Sequence, residues 1–407
     1  MPPHSHFTDL SYPVPKQLNF NISNVDLSIV NALRRIILSE IPSPAFYFDA
    51  NDVYNKDITI SKNTSPIHNE FFAQRISMVP LFLTPEETAA VNAGTKKYVF
   101  SISKKNTQNS TIPVTTEDFT CTLNGEPLAE SEVRRIFPAD PITKDYILLN
   151  ELKPNIHNTE SGNEVELTAI PTVGIPKKNT CYCSASLCTY GNAIDKQKSE
   201  AAFQNMLKEK AKSGIKYDEE TMRKEFKTLD IQRYFVTNDF DEPSKFEFKI
   251  ESENGFDPDY LFETAFEILE EKFARVLREI TNNDDIPDSE KNVIVTSDDR
   301  APDMFKISVI GETHTLGNVF QSMFYNYFVR NETKLHYIGY SCPHPLKDVC
   351  DIKVKLYDPK DMAGHESVDK NRKALIDVIV AGVKHIKSDV SKLRAEWKSA
   401  IASMSKK

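Results

Sequence analysis

Three cysteines stand close together in the segment CYCSASLC, at positions 181, 183 and 188. Cysteine thiolates are good zinc ligands, so this spacing suggests a metal site. A closed zinc site usually needs four ligands, and no fourth cysteine or histidine lies nearby in the sequence. Cys181 and Cys183 are two residues apart and can instead share one face of a strand. The strand remains an alternative to the zinc site, and no metal is expected at Cys181, Cys183 and Cys188.

A second candidate site is the segment TNDFDEP (237–243), in which Asp239 and Asp241 alternate. A magnesium-binding loop of this kind needs three aspartates at alternate positions, and Pro243 stands where the third would be. The sequence contains no glycine-rich phosphate loop, nucleophile elbow or metalloprotease histidine pair, and only 12 glycines. The chain is therefore not expected to catalyse a reaction on its own.

The basic pair Arg34–Arg35 has a clearer chemical use. It follows Leu33 in NVDLSIVNALRRIILSEIP (24–42), at the flank of an apolar helical stripe. A guanidinium group bonds well to carboxylates and backbone carbonyls, which suits a protein interface. Taken alone, the residues are more typical of a solvated basic surface than of an interface.

The helix that carries this pair has a counterpart near the other end of the chain, GETHTLGNVFQSMFYNYF (311–328). When Asn31 is aligned with Asn318, the apolar positions of the two segments coincide. The aligned pairs are Ile29 with Leu316, Ala32 with Val319, Leu33 with Phe320, Ile36 with Met323, Ile37 with Phe324 and Ile41 with Phe328. The sequence therefore contains an internal repeat.

Each copy begins with an alternating strand whose apolar residues face one way. These residues are Leu18, Phe20 and Ile22 in the first copy and Phe305, Ile307 and Val309 in the second. A polar side chain just before each helix can cap its free N–H groups. The candidate caps are Ser28 and Thr315 or, alternatively, Asp26 and Thr313.

The two copies also end alike, each with a helix whose apolar residues step by four and three. The first helix starts after Asp257 as N-cap, with Pro258 as its first residue. The seam residues are Phe262, Phe266, Leu269, Phe273, Val276 and Ile280 in one helix and Ile379, Val383, Ile386, Val390, Leu393 and Trp397 in the other. Such a seam packs against another helix or against its own sheet, and its repetition favours packing of the two halves on each other.

We predict an α+β fold in which two small sheets with helices form an intramolecular pseudo-dimer. The predicted domains are a first dimerisation domain (1–50 and 165–280, with strands VELTAI and FEFKIES), an inserted β-rich domain (51–164), a linker (281–302) and a second dimerisation domain (303–407, with strand CDIKVKLYD). Within the first domain, the charged segment 195–230 is predicted to form a helical hairpin turning at Ser213–Gly214.

The bulk composition narrows the functional class. A formal net charge of -9 argues against a protein that wraps nucleic acid, so contact with DNA is expected to be indirect. Six cysteines in 407 residues fit a reducing compartment. The start MPPHSHFTDL lacks a signal-peptide pattern, and no apolar run approaches the length of a membrane span. We expect an intracellular location.

These segments resemble a known family. NVDLSIVNALRRIILSEIP, NTSPIHNEFFAQRISMVPLF (63–82) and VELTAIPTVGIPKKN (165–179) are similar to the third-largest subunit of eukaryotic RNA polymerase II and the archaeal D subunit. HTLGNVFQSMFYNYF, YIGYSCPHPL (337–346) and DIKVKLYD (351–358) are similar to the eleventh subunit and archaeal L. The bacterial alpha subunit joins both signatures as HTLGNALRR and dimerises with itself. The resemblance therefore implies an alpha-like heterodimer fused head to tail, as in large nucleocytoplasmic DNA viruses.

The resemblance also implies roles for particular residues. The large-subunit interface would contain Arg34, Arg35, Glu70 and Arg75, with Arg35 favoured over Arg34. The pseudo-dimer interface would contain Leu33, Ile36, Ile37, Phe266, Leu269, Phe273, Val276, Phe320, Met323, Phe324, Val383, Ile386, Val390 and Leu393. Structural roles fall to the motif residues Asn31, His314, Thr315, Leu316, Gly317, Asn318, Pro343, His344 and Pro345. Core packing is at least as good an interpretation of Phe71, Ile76, Val79 and Leu81.

The function implied is that of a non-catalytic assembly subunit of DNA-directed RNA polymerase, with the largest, second-largest and small subunits as partners. Magnesium would lie on the large catalytic subunit, and this chain would hold no cofactor. The inserted domain contains only Cys121, so the zinc or iron–sulfur module of some relatives is not expected. If the source is viral, the location would be host cytoplasm or nucleus and the virion. The alternatives are a stand-alone transcription regulator on the same fold and, less favoured, a metal-dependent enzyme.

Overall fold

The computed structural model describes residues 5–51, 57–154, 162–213, 218–282, 290–298, 301–357 and 366–404. The strands are β1 (Phe7–Val14), β2 (Gln17–Ser23), β3 (Ser43–Ala45), β4 (Ile58–Asn63), β5 (Tyr98–Lys105), β6 (Ile112–Thr115), β7 (Thr120–Leu123), β8 (Glu126–Pro127), β9 (Leu148–Leu152), β10 (Glu164–Ala169), β11 (Thr172–Gly174), β12 (Ala185–Asn192), β13 (Lys245–Ser252), β14 (Val293–Asp298), β15 (Ala301–Ile310), β16 (Leu335–Ser341) and β17 (Val349–Leu356). The helices are α1 (Leu27–Ser39), α2 (Asn69–Ser77), α3 (Pro85–Asn92), α4 (Glu130–Ile136), α5 (Lys196–Lys212), α6 (Glu219–Leu229), α7 (Pro258–Thr281), α8 (His314–Phe324) and α9 (Glu366–Met404).

The repeat seen in the sequence is present in the fold. One four-stranded sheet has the order β1-β2-β13-β12 and a second has the order β14-β15-β17-β16. Each sheet starts with an antiparallel hairpin, and its third strand, β13 or β17, is the one that precedes the long helix α7 or α9. The two halves are therefore built to one plan.

The predicted strand faces are confirmed. Leu18, Phe20 and Ile22 of β2 and Phe305, Ile307 and Val309 of β15 are all buried, as are Ile352, Val354 and Leu356 of β17. The first strand of each sheet, β1 and β14, was not predicted. Most of β1 is exposed, so its sequence lacks the apolar alternation that marks a half-buried strand.

The chain divides into two compact units, whose bounds differ from those of the predicted domains. The first contains residues 1–36, 188–250 and 262–407, and the second contains residues 37–187 and 251–261. The second is larger than the predicted insert 51–164, because β3 pairs with β11 on the far side of it. Strand β10, predicted as VELTAI in the first dimerisation domain, instead pairs with β4 and β5 in a five-stranded sheet of the second unit. The sequence correctly predicts a strand here but says nothing about its pairing partners.

The segment 281–302, predicted as a linker, contains a strand. Helix α7 does continue to Thr281, but Val293–Asp298 form β14, which pairs with β15. The second sheet therefore begins at Val293, ten residues before the predicted start of the second domain at 303. Its polar residues Thr296, Ser297 and Asp298 resemble a loop in composition, which concealed the strand.

The charged hairpin is confirmed as two helices, α5 and α6; part of the turn predicted at Ser213–Gly214 lies outside the described residues. Phe203, Leu207, Met222 and Phe226 form a small core between the two helices. Its two ends meet at the base, where Ile194 bridges to Phe235 and the Asp195 N–H donates to the Tyr234 carbonyl at 2.9 Å. The hairpin is a local module.

The alternatives for the helix caps are resolved in favour of Asp26 for α1. The Asp26 carboxylate accepts a hydrogen bond from the Ser28 N–H at 2.8 Å. Thr313 occupies the N-cap position of α8, and α7 starts at Pro258 as predicted. No helix in the described ranges is both long and apolar enough to cross a membrane.

Candidate subunit interfaces

Helices α1 and α8 carry the two halves of the repeated motif and bond to each other through their flanks. The Arg35 Nε donates to the Thr315 Oγ1 at 2.8 Å, near the start of α8. At the other end of the contact, the Asp26 carboxylate accepts from the Ser322 hydroxyl at 2.9 Å and from the Asn326 amide at 3.0 Å. Polar side chains therefore join the first half to the second at both ends of this helix pair.

These bonds follow the internal symmetry of the chain. The alignment that superposes Asn31 on Asn318 also places Arg35 on Ser322. Each of these equivalent residues bonds to the first turn or cap of the opposite helix, Arg35 to Thr315 and Ser322 to Asp26. This is the reciprocal pattern of an isologous two-fold interface, with different residues in the two copies.

Arg34 is placed differently from Arg35. Its Nε donates to the Asn31 side-chain oxygen, one turn earlier in α1, at 3.1 Å. Its charge also lies near the buried Cys188, whose thiol pKa is raised by burial while Arg34 opposes the rise. Both arginines are half-buried rather than fully solvated. Arg34 is thus held within its own half, and Arg35 is bonded across the pair.

The long helices α7 and α9 hold the second contact between halves. Every predicted seam residue of α7 and α9 is buried. The Trp397 ring of α9 lies 4.5 Å from the Phe262 ring of α7, 4.8 Å from Phe20 of β2 and 5.2 Å from Phe7 of β1, measured between centroids. The Trp397 side chain of the second half is therefore packed into the core of the first half. Large aromatic side chains of this kind contribute much of the energy at interfaces.

An ion-pair network borders this seam. Arg394 of α9 forms ion pairs with Glu263, Glu267 and Glu270, on successive turns of α7. The Ser391 hydroxyl also donates to Glu270 at 2.7 Å. Since one face of α7 is acidic and the facing side of α9 is basic, the charges favour this register of the two helices.

A buried carboxylate forms a third contact that the sequence did not reveal. Glu312 lies between β15 and α8 with a side chain 3% exposed, and it pairs with Lys272 at 2.9 Å and Arg275 at 2.7 Å, both from α7. The turn before it has Gly311 at φ 81°, a backbone conformation that favours glycine. A charged residue next to a glycine turn usually suggests solvent, so no sequence signal distinguished this one.

The HTLGN motif has an internal packing role in α8. Leu316 and Gly317 are buried, and a Cβ added at Gly317 would lie 2.5 Å from the Tyr340 ring and 2.6 Å from the Cys350 Sγ. His314 makes an edge contact with the same Tyr340 ring. Gly317 therefore allows α8 to lie directly on β16 and β17.

The turn that contains Pro343, His344 and Pro345 lies at the surface. The His344 Nδ1 accepts a hydrogen bond from the Leu346 N–H at 3.1 Å. Leu346 itself is 88% exposed, an unusual position for an apolar side chain. Sequence reasoning singled out the prolines and the histidine and did not select Leu346.

The second unit carries the other candidate interface residues on α2. Glu70 and Arg75 are exposed, and the Arg75 Nη2 donates to the Leu148 carbonyl at 2.8 Å. Ile76, Val79 and Leu81 are buried, as core packing predicts, but Phe71 is 65% exposed and Met78 is 59% exposed. The core interpretation of Phe71 was wrong. Phe71, Arg75 and Met78 are spaced four and three residues apart, so they share the outer face of this short helix.

The two motifs first considered for metal binding are CYCSASLC and TNDFDEP. Cys181 lies in a 3-10 turn (Thr180–Tyr182) that ends at Cys183, so these two cysteines do not share a strand face. Cys181 is half-buried and burial raises its thiol pKa to about 11, Cys183 is exposed, and Cys188 is buried in β12. Across the described residues, no group of three or more His, Cys, Asp and Glu is placed to hold a metal ion. In TNDFDEP, Phe240 stacks under the Arg330 guanidinium at 4.1 Å, and Glu242 pairs with Arg330 at 2.9 Å.

Comparison with known families agrees with this architecture. Two models of the RNA polymerase Rpb3/Rpb11 dimerisation domain match the chain, one over residues 19–273 and the other over residues 305–396. The chain belongs to this family. The resemblance noted in the sequence is thereby confirmed at the family level, and one chain of the Rpb3/Rpb11 family here contains two dimerisation domains.

Curated relatives of this Rpb3/Rpb11 family member are RNA polymerase subunits. The chain is 30% identical over 198 residues to the RPAC1 subunit of RNA polymerases I and III from Saccharomyces cerevisiae, a match that spans 43% of this chain and 53% of that subunit. It is 24% identical over 281 residues to the RNA polymerase II subunit RPB3 of Schizosaccharomyces pombe, a match that spans 65% of this chain and 83% of that subunit. It is 26% identical over 261 residues to the RNA polymerase subunit Rpo3 of Pyrobaculum aerophilum, a match that spans 64% of this chain and 90% of that subunit. The chain thus spans about half of one relative and most of the other two.

Proposed function

We propose that this chain is a non-catalytic assembly subunit of a DNA-directed RNA polymerase, and that its two dimerisation domains replace a heterodimer of separate chains. The observation that carries the proposal is the presence of two Rpb3/Rpb11 domains with the same strand order in one chain. The shared core around Trp397 supports it, because that core needs residues from both halves. Nucleotidyl transfer and its magnesium belong to the large subunits in this proposal.

The proposed partners are the largest and second-largest polymerase subunits, together with small subunits, and DNA is reached only through the complex. The face of α1 that contains Arg34 is one docking surface for the second-largest subunit. The exposed face of α2, with Phe71, Arg75 and Met78, is another. Aromatic and arginine side chains on one exposed helical face are typical of the residues that dominate binding energy at interfaces.

The test is coexpression of the tagged chain with the two largest polymerase subunits from its native source, followed by affinity purification and size exclusion. A stoichiometric complex is the expected result. If the chain copurifies with neither subunit but binds duplex DNA by itself at physiological salt, it is a stand-alone regulator and the proposal is wrong.

The fused arrangement also bears on the source of the protein. Its similarity to fused alpha-like subunits of large nucleocytoplasmic DNA viruses supports a viral polymerase, with the host cytoplasm or nucleus and the virion as locations. Both the viral source and the fusion of two ancestral subunits stay predictions. Purified particles analysed by mass spectrometry for this chain together with the large subunits would test them.

A further inference from the structure

Two cysteines of the second half face each other across neighbouring strands. Strand β16 pairs antiparallel with β17, and Ser341 is opposite Asp351 in their register. The next residue on each side of this pair is Cys342 and Cys350. The two cysteines thus close the base of the surface turn SCPHPLKDVC (341–350), which carries the exposed Leu346.

Their surroundings give the two thiols different access to solvent. Cys350 is fully buried in β17, and its sulfur lies against α8 at Gly317, where an added Cβ would come within 2.6 Å. Cys342 is half-buried just beyond the end of β16. A small water-soluble oxidant therefore reaches Cys342 first, while Cys350 is held beside it by the packing of α8.

The backbone spacing is compatible with a covalent bond. Directly opposed residues of antiparallel strands have Cα atoms about 4.5–5.5 Å apart. Disulfides span Cα separations of about 4.4–6.8 Å, so no rearrangement of the sheet is needed. Their Cβ atoms must approach slightly more closely than ordinary cross-strand pairs do, and a bond closed under such strain is more easily reduced.

We propose that Cys342 and Cys350 are a modification site, at which hydrogen peroxide forms a reversible intramolecular disulfide. This proposal is independent of the polymerase assignment. The Cys342 thiolate attacks one peroxide oxygen, giving a sulfenic acid and releasing water after proton uptake. The Cys350 sulfur then displaces the hydroxyl of the sulfenic acid, which leaves as a second water. Two thiols are oxidised, one peroxide is reduced to two waters, and a thiol such as dithiothreitol reverses the reaction.

The environment also sets the pH dependence of the reaction. Burial raises the pKa of the Cys342 thiol, and burial raises the pKa of Cys350 to about 12. Since the thiolate is the nucleophile, the reaction is slow near neutral pH and its rate rises with pH.

The sequence offers a direct assay. Trypsin cleaves after Lys334, Lys347 and Lys353, which separates Leu335–Lys347, containing Cys342, from Asp348–Lys353, containing Cys350. The full chain is treated with hydrogen peroxide, blocked with an alkylating agent, digested and analysed by mass spectrometry. The two separate peptides should be lost and replaced by one linked species, whose mass is the sum of the two thiol peptides less two hydrogens. Dithiothreitol should restore the separate peptides.

Matched variants complete the test. Cys350→Ser should abolish the linked species and leave a Cys342 sulfenic acid that dimedone traps, while Cys183→Ser, at the exposed thiol, should leave linkage unchanged. Cys350→Ala and Cys342→Ser, each checked by thermal melting, guard against misfolding of one variant. The proposal is wrong if Cys342 in the folded wild-type chain proceeds to sulfinic acid while Cys350 keeps a free thiol, or if linkage occurs only between molecules.

Discussion

At the scale of single residues, Arg35 meets two different demands. The family resemblance assigns it to the docking of a large subunit, whereas its Nε bonds to Thr315 of the opposite half. An arginine can meet both demands, because the guanidinium group has five N–H donors. A substitution of Arg35 would therefore affect folding and docking together. Substitutions of its neighbours Arg34 and Thr315 distinguish the two effects.

We predict that Thr315→Val weakens folding while Arg34→Glu weakens docking. Valine keeps the shape of threonine but removes the acceptor for Arg35, at a cost of about 1–2 kcal/mol in the free energy of unfolding. Arg34→Glu breaks only a bond within α1 and reverses a charge on the proposed interface, so it should unfold nearly as wild type. Urea denaturation of each variant and copurification with the second-largest subunit measure the two effects. Normal copurification of Arg34→Glu would remove this face from the docking surface.

We also predict that Glu312→Gln is strongly destabilising. The substitution leaves Lys272 and Arg275 without their buried counter-charge, and breaking such a pair costs about 3–5 kcal/mol. Glu271→Gln is the matched control, since Glu271 and its partner Arg278 are both exposed and such a pair contributes about 0–1 kcal/mol. Denaturant unfolding of both variants gives the comparison. Equal losses would mean that the Glu312 cluster is no more than a surface ion pair.

At the scale of elements, the sequence predicts helices better than sheets. The seams of α7 and α9 were predicted residue by residue, because a helix buries a stripe with a period that is readable locally. Strand β10 shows the limit: the strand itself was predicted, yet its partners β4 and β5 lie far away in the sequence. Glu312 and the Asp26–Ser322 bond escaped prediction for the same reason, since each depends on a neighbour from the other half.

The seam itself is testable. We predict that Leu269→Asp and Ile386→Asp each reduce the free energy of unfolding by several kcal/mol, because each would bury an unpaired charge at a fully buried position. Leu229→Asp, on the hairpin helix α6, is the control, since Leu229 is 70% exposed. Circular dichroism during urea denaturation provides the measurement. Wild-type stability of either seam variant would contradict the packing of α7 against α9.

The hairpin α5–α6 is predicted to be dispensable for folding. Its small core is its own, and its ends meet at the Ile194–Phe235 bridge. Replacing residues 196–233 with a short Gly-Ser linker should therefore preserve a single cooperative melt of the remaining chain. Differential scanning calorimetry tests this, and a loss of cooperative melting would show that the hairpin supports the sheet β1-β2-β13-β12. If the shortened chain folds but loses a copurifying partner, the hairpin is a binding module.

At the scale of the whole molecule, two copies of one plan take the place of a symmetric dimer. The equivalence of Arg35 and Ser322, and the shared strand order, place two-fold symmetry inside a single chain. Because each copy already has its partner, we predict that the isolated chain is a monomer. Multi-angle light scattering across a dilution series should return the mass of one chain, 46.3 kDa. A mass of twice that value at the lowest concentration would mean that the halves exchange between molecules.

The covalent path from the end of α7 at Thr281 to the start of β14 at Val293 changes how this assembly responds to dilution. Two separate subunits associate only above their dissociation constant, whereas tethered partners experience a local concentration that reaches about the millimolar range for a short connection. The pairing of halves is then insensitive to the amount of protein made and to unequal synthesis of two gene products. Polar contacts such as Arg35–Thr315 add little affinity by themselves, and they fix the orientation of a pairing that the buried α7–α9 seam already stabilises. A tethered pair therefore needs less intrinsic affinity between its halves than two separate chains would need.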